Sequence, residues 1–226
     1  LSRAKDKAQG TRCMNNHRQL LLAWRMYVDD NRDQLPHVKH GPYEWVGGWL
    51  DYTANAENWD VNANITKSVL WEYTGKNQAI FKCPSDKSTV NVRGTPMPRV
   101  RTMSMQAFMG GRGNGQPIGY GNDEYIVYKK ISDIKNPGPV KSFVFLDERE
   151  DSINDGMFVV SMTGFESGNG TSFVDKPASY HGGSGALSFA DGHSEPKRWT
   201  TDVVLKTPKQ NGVVPYPTPV TNNKDL

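Results

Sequence analysis

The sequence predicts an α+β fold in which an N-terminal amphipathic helix packs on an antiparallel β-sheet with long loops inserted between its strands. Three observations predict it. Residues 1–31 carry an apolar stripe at helical spacing. Four runs of strand character lie between Val140 and Trp199, and 22 glycines with 14 prolines in 226 residues demand many turns.

The helix is read from Cys13, His17, Leu20, Trp24 and Tyr27, spaced four and three apart so that they share one face, with Leu21 and Val28 widening it. Asn16, Arg18, Gln19 and Arg25 fall off that face. A kink is expected at Gly10-Thr11, and Asn31 followed by Leu35-Pro36 stops the helix. Its start is unmarked. Ser2 can cap, but Lys5 stands where a capping box needs Glu or Gln, and Arg3, Lys5 and Lys7 oppose the helix dipole. The expectation is a helix that begins partway along a longer rod; the alternative is an ordinary N-terminal helix packed on a globular domain.

Residues from His37 to Asp60 are rich in Trp, Tyr, Gly and Asn and read as a loop layer pinned by Trp45, Trp49 and Trp59. Those rings either cover a core edge or form a ligand surface for a sugar or peptide. Thr66 to Thr74 reads as a short helix closed by Gly75, Ala79 to Lys82 as a short strand, and Val100 to Phe108 as a longer one. The glycine-rich stretch from Gly110 to Gly121 lacks Gly-x-Gly-x-x-Gly spacing and has no helix behind Pro117, so it is not a phosphate cradle. Strands follow over Val140 to Leu146, Met157 to Met162, Ala186 to Ala190 and His193 to Trp199. Asp191-Gly192 reads as a two-residue hairpin turn with both residues at positive φ, and Pro196 assigns the last strand to a sheet edge. Pro208, Pro215, Pro217 and Pro219 predict an extended tail. The chain therefore divides into a helix (1–31), an α+β domain (32–205) and a Pro-rich tail (206–226).

The formal charge of +3 is accounted for by Arg3, Lys5, Lys7 and Arg12 against Asp6. The remainder is balanced, which argues against a nucleic-acid partner. No run approaches the roughly 20 apolar residues that a membrane span needs.

Oxygen ligands concentrate between Asp147 and Gly156, where Asp147, Asp151, Asn154 and Asp155 are candidate calcium ligands. The loop is not an EF-hand: counted from Asp151, Ile153 and Met162 occupy ligand positions. Asx side chains capping a turn are the alternative. Cys13 and Cys83 are a candidate disulfide that would clamp the helix to the body, or two buried free thiols. A nucleophile elbow at Ser184 is disfavoured because Ala186 stands where the last glycine belongs. His181, Asp191 and His193 have no metal-ligand spacing, and a histidine satisfied by a turn backbone is favoured over zinc or iron.

These stretches resemble a family of bacterial type IV pilin-like proteins, relatives of the type II secretion pseudopilins, whose C-terminal signature is a histidine, nine residues, then Asp-Gly. Here the signature is His181, Gly182 to Ala190, and Asp191-Gly192. Matching pieces follow in order along the chain: Ser2-Arg3-Ala4-Lys5, Cys13-Met14-Asn15-Asn16, Gln19-Leu20, Tyr27-Val28-Asp29-Asp30-Asn31, Phe81-Lys82-Cys83-Pro84-Ser85-Asp86, then Phe145-Leu146-Asp147-Glu148 and Asp151-Ser152-Ile153-Asn154-Asp155-Gly156. His17 departs from the leucine expected on that pattern. The resemblance implies an exported structural subunit, periplasmic or at the cell surface, with no catalytic activity. Its precursor would be anchored in the inner membrane by an apolar helix absent here, residues 1–31 being the soluble part of a pilin-type spine. Other pilin-like subunits are the implied partners, and relatives include calcium-binding members. A carbohydrate- or ligand-binding module on the same kind of anchor is the alternative.

Overall fold

Helix α1 (Ser2–Asp30) continues through Gly10-Thr11, where a kink was the expectation. The structure, a computed structural model, describes residues 2–121, 123–165, 171–206 and 218–220. The expected extended tail over 206–226 lies almost wholly outside them. The predicted stripe is the buried face: Cys13, His17, Leu20 and Trp24 are 0% exposed. Arg18 and Gln19 face outward, but Asn16 does not. Its amide donates to the carbonyls of Ala79 and Lys82, both at 3.0 Å, so a polar residue is buried by satisfying two loop carbonyls.

Asn31 ends the helix by donating its side-chain amide to Tyr27 O at 2.7 Å, after which Arg32 and Asp33 take left-handed φ values of 56° and 65°. Asp30, which opposes the dipole, accepts a hydrogen bond from the Tyr73 hydroxyl at 3.0 Å. Gly10 is open to improvement, since an added Cβ would meet the His181 ring at 3.5 Å, an ordinary contact. Gly10→Ala is expected to raise stability by about 0.5–1 kcal/mol, measured as a shift in the urea midpoint.

The strands in chain order are β1 (Thr89–Val92), β2 (Thr95–Pro98), β3 (Met103–Gln106), β4 (Phe143–Asp147), β5 (Met157–Phe158), β6 (Val160–Ser161), β7 (Thr171–Phe173), β8 (Ser184–Phe189), β9 (Ser194–Arg198) and β10 (Thr218–Val220). The main sheet has the order β5-β3-β4-β8-β9. It is mixed rather than purely antiparallel, because the chain leaves β4, reverses through 148–156 and returns along β3 in parallel. Pro196 lies in the edge strand β9, as predicted. Helix α1 packs against β8, β9, β4 and the 3-10 turn Gln78–Phe81.

One apolar cluster fills the space between helix and sheet, and a second, built on Leu146, Phe158, Phe173, Leu187, Phe189 and Trp199, covers further apolar surface of the sheet strands. With Val144 and Phe145 in the first cluster and Leu146 in the second, β4 reads as an unbroken apolar run rather than an alternation.

Several local expectations give way to polar side chains that intercept the backbone. The run from Met157 to Met162 is split at Val159, whose amide is taken at 2.7 Å by the Asp175 carboxylate; β6 then joins a separate sheet of order β10-β7-β6. The helix expected over Thr66 to Thr74 is a 3-10 turn, Ile65–Lys67, because the Ser68 hydroxyl bonds Trp45 O and Leu70 N while its backbone is extended. The strand expected over Ala79 to Lys82 is likewise a 3-10 turn, which Asn77 caps through Ala79 N at 3.1 Å. The β1–β2 hairpin has no counterpart in the sequence reading; its turn, Arg93-Gly94, has φ of 51° and 86°.

Candidate functional site

Strand β4 carries Asp147 at its buried end, where four segments distant in sequence meet. Helix α1 brings Cys13 and His17, the loop after Gln78–Phe81 brings Cys83, and the turn before β8 brings His181. Asp147 Oδ2 accepts a hydrogen bond from Cys13 Sγ at 2.8 Å and lies 3.3 Å from His17 Nε2. Its other oxygen accepts from the Thr102 hydroxyl at 3.1 Å, and that hydroxyl accepts from the Cys83 amide at 2.8 Å. Cys83 Sγ is 3.3 Å from His181 Nε2. The ligand atoms of Cys13, Cys83, Asp147 and His181 all lie within 4.8 Å of one another.

Each group tunes its neighbours. Burial would raise Asp147, but His17, with the hydrogen bonds from Cys13 and Thr102, holds its carboxyl below the usual range. The hydrogen bond with Cys13 lowers the Cys83 thiol against the opposing effect of burial, and His181 lowers it further. Cys13 moves the other way, raised by its bond to Cys83, by burial and by the Asp147 charge. The bond with Cys83 raises His181. Two thiols, an imidazole and a carboxylate in this arrangement form a cluster that can hold a metal ion.

The signature residues have separate tasks. His181 stands before β8 and Asp191-Gly192 follows it, so the nine-residue spacing is the length of one strand with its flanking turns, and the two ends are about 20 Å apart. The hairpin loop differs from the two-residue turn expected. Phe189 N bonds His193 O at 2.9 Å across a three-residue loop, and only Gly192, at φ 108°, is left-handed. There Asp191 Oδ1 lies 2.6 Å from His193 Nδ1, an exposed pair remote from His181. No His181–Asp191–His193 metal set forms. Nor does a hydrolytic triad, since His181 meets Ser184 only through backbone hydrogen bonds of 3.1 and 3.3 Å.

The calcium expectation is corrected. Asp147 points to Cys13 and His17; Asp151 is bound by the Arg149 guanidinium, with Nη2–Oδ2 at 3.1 Å; Asp155 pairs with Lys39. Asn154 offers its carbonyl to Leu50 N. Arg149 and Lys39 answer Asp151 and Asp155 separately while Asp147 turns to Cys13 and His17, and the four residues do not converge. The tryptophan surface is corrected as well. Trp45 is 0% exposed in the core, its indole donating to Gly156 O at 2.8 Å, while Trp49 remains 46% exposed. The indole of Trp59 bonds Ala54 O at 3.1 Å. Cys13 and Cys83 are neighbours, as the bridge requires, but stand as two free buried thiols.

Thr102 and His17 were not singled out as site residues from sequence. His17 carried a signal, a polar ring in the middle of an apolar stripe that needs a buried partner, and Asp147 carried another by ending an apolar strand. No family model matches the chain, and neither a curated protein nor a solved structure matches it.

Proposed function

We propose that the chain is a structural subunit of a pilin-like or secretion pseudopilus-like assembly, exported to the periplasm or cell surface, and that α1 is the element through which neighbouring subunits pack. One observation carries the reading: α1 docks by a single stripe and leaves its opposite face bare, with Leu22 61% and Met26 45% exposed one turn apart. Ala4 to Ala8, nearer its start, are exposed too. Leu22 and Met26 stand four apart on one helix face, and covering such a pair contributes roughly 25 cal/mol per Å² to association. The order of the matching sequence pieces along the chain supports the same reading. No described helix is long and apolar enough to cross a membrane. No bond-breaking step is assigned to the subunit, and no nucleic acid.

Cysteine cross-linking in cells tests this. In the full gene product carrying Leu22→Cys or Met26→Cys, a bifunctional maleimide is expected to yield a ladder of covalent multimers from the membrane fraction. A product that is monomeric with both variants and recovered in the soluble fraction contradicts the proposal.

A further inference from the structure

The geometry points to a structural zinc site formed by Cys13, Cys83, Asp147 and His181, which clips α1 to the sheet. This inference is independent of the assembly reading. The four residues come from four chain segments, with 134 positions between Cys13 and Asp147 alone, and no local turn brings them together. Their ligand atoms nevertheless lie within 4.8 Å of one another. A tetrahedral zinc ion with bonds of about 2.0–2.3 Å needs ligand-to-ligand edges of about 3.3–3.8 Å. The 3.3 Å from Cys83 Sγ to His181 Nε2 is already such an edge, and the 2.8 Å from Cys13 Sγ to Asp147 Oδ2 opens by less than about 1 Å when an ion replaces the shared proton.

The donor set selects the metal. Two sulfurs and an imidazole favour zinc over calcium or magnesium, which take oxygen ligands. Four protein ligands fill the tetrahedron and leave no position for water, so the site is structural rather than catalytic. Supporting groups are in place around the carboxylate: Thr102 holds Oδ1 at 3.1 Å, and Oδ2 is left toward the sulfurs with His17 beside it. A disulfide between the cysteines would account for two of the four groups and leave Asp147 and His181 without thiol partners. On zinc binding, the two S–H bonds break, two Zn–S bonds form and two protons pass to solvent, with no change of oxidation state.

The test uses the intact protein, isolated under reducing conditions without chelator. One zinc per chain is expected by elemental analysis. After the metal is stripped, cobalt(II) is expected to develop a thiolate-to-cobalt charge-transfer band and tetrahedral d–d bands that saturate at one equivalent. His181→Ala and Cys83→Ser are expected to weaken cobalt binding at least tenfold, while Asp191→Ala and His193→Ala, on the far hairpin, leave it unchanged. The cobalt spectrum of the unmutated chain decides the matter even if a variant fails to fold. The inference is overturned if that chain contains no zinc and gives no charge-transfer band while both thiols titrate as free, or if mass spectrometry finds Cys13 and Cys83 joined.

Discussion

Trp45→Ala is expected to lower folding stability by about 3–5 kcal/mol, the range for truncating a fully buried aromatic residue. Trp45 is 0% exposed and central to the cluster between helix and sheet. Its ring lies parallel to Phe81 with centroids 6.4 Å apart, meets Phe145 edge-on at 5.0 Å, and has the Arg101 guanidinium 5.7 Å from its centroid. The indole N–H satisfies Gly156 O at 2.8 Å, so the substitution also leaves a buried acceptor with one bond fewer. Gly156 packs against the indole so closely that an added Cβ would lie 2.9 Å from its nitrogen, so the ring fills its site to contact. Trp49→Ala, at a 46% exposed position, is expected to change stability by about 0.5 kcal/mol or less. Urea unfolding of the two variants separates a core tryptophan from a ligand platform: similar small effects at both positions would contradict the core assignment.

Glu148→Gln is expected to flatten the stability of the chain against pH. Glu148 is 0% exposed, and burial pushes its carboxyl from 4.5 up to about 8, against hydrogen bonds from the Ser104 and Ser152 hydroxyls at 2.7 and 2.9 Å. The folded chain therefore keeps a proton between these two values that the unfolded chain has lost. Stability is fully present below the unfolded value and falls as pH rises toward 8. At about 1.4 kcal/mol per unit the loss is on the order of 3–5 kcal/mol across the window. Glutamine removes the ionisation and keeps the shape, so the variant is expected to match the parent below about pH 4 and exceed it at pH 8. Asp175, also raised by burial, leaves a residual slope in the same direction. Parallel pH dependences for parent and variant would show that Glu148 is not held neutral.

The helix was legible because a 3.6-residue period survives any tertiary context, and every residue of the predicted stripe is buried. The hairpin β8–β9 was legible for a similar reason, since Asp-Gly after an apolar run leaves few alternatives. What sequence could not supply was the choice of partner for each polar group. The residues from Asp147 to Asp155 look like one cation loop only until Arg149 and Lys39 are seen to answer Asp151 and Asp155 separately. Trp45 and Trp49 are four residues apart and alike in composition, yet only contact with Phe81, Phe145 and Gly156 decides which is core. The cluster at Asp147 escaped because its members are up to 168 positions apart by number, between Cys13 and His181, and no spacing rule spans that distance. His17, a histidine on a face that otherwise wants leucine, and Asp147, a carboxylate ending an apolar strand, were its visible traces.

X-ray absorption at the zinc edge of the isolated protein tests the central cluster most directly. Two sulfur scatterers at about 2.3 Å with two nitrogen or oxygen scatterers at about 2.0–2.2 Å are the expected first shell. A shell of oxygen and nitrogen alone, or a sample that holds no zinc and gives no thiolate charge-transfer band with cobalt(II), contradicts it.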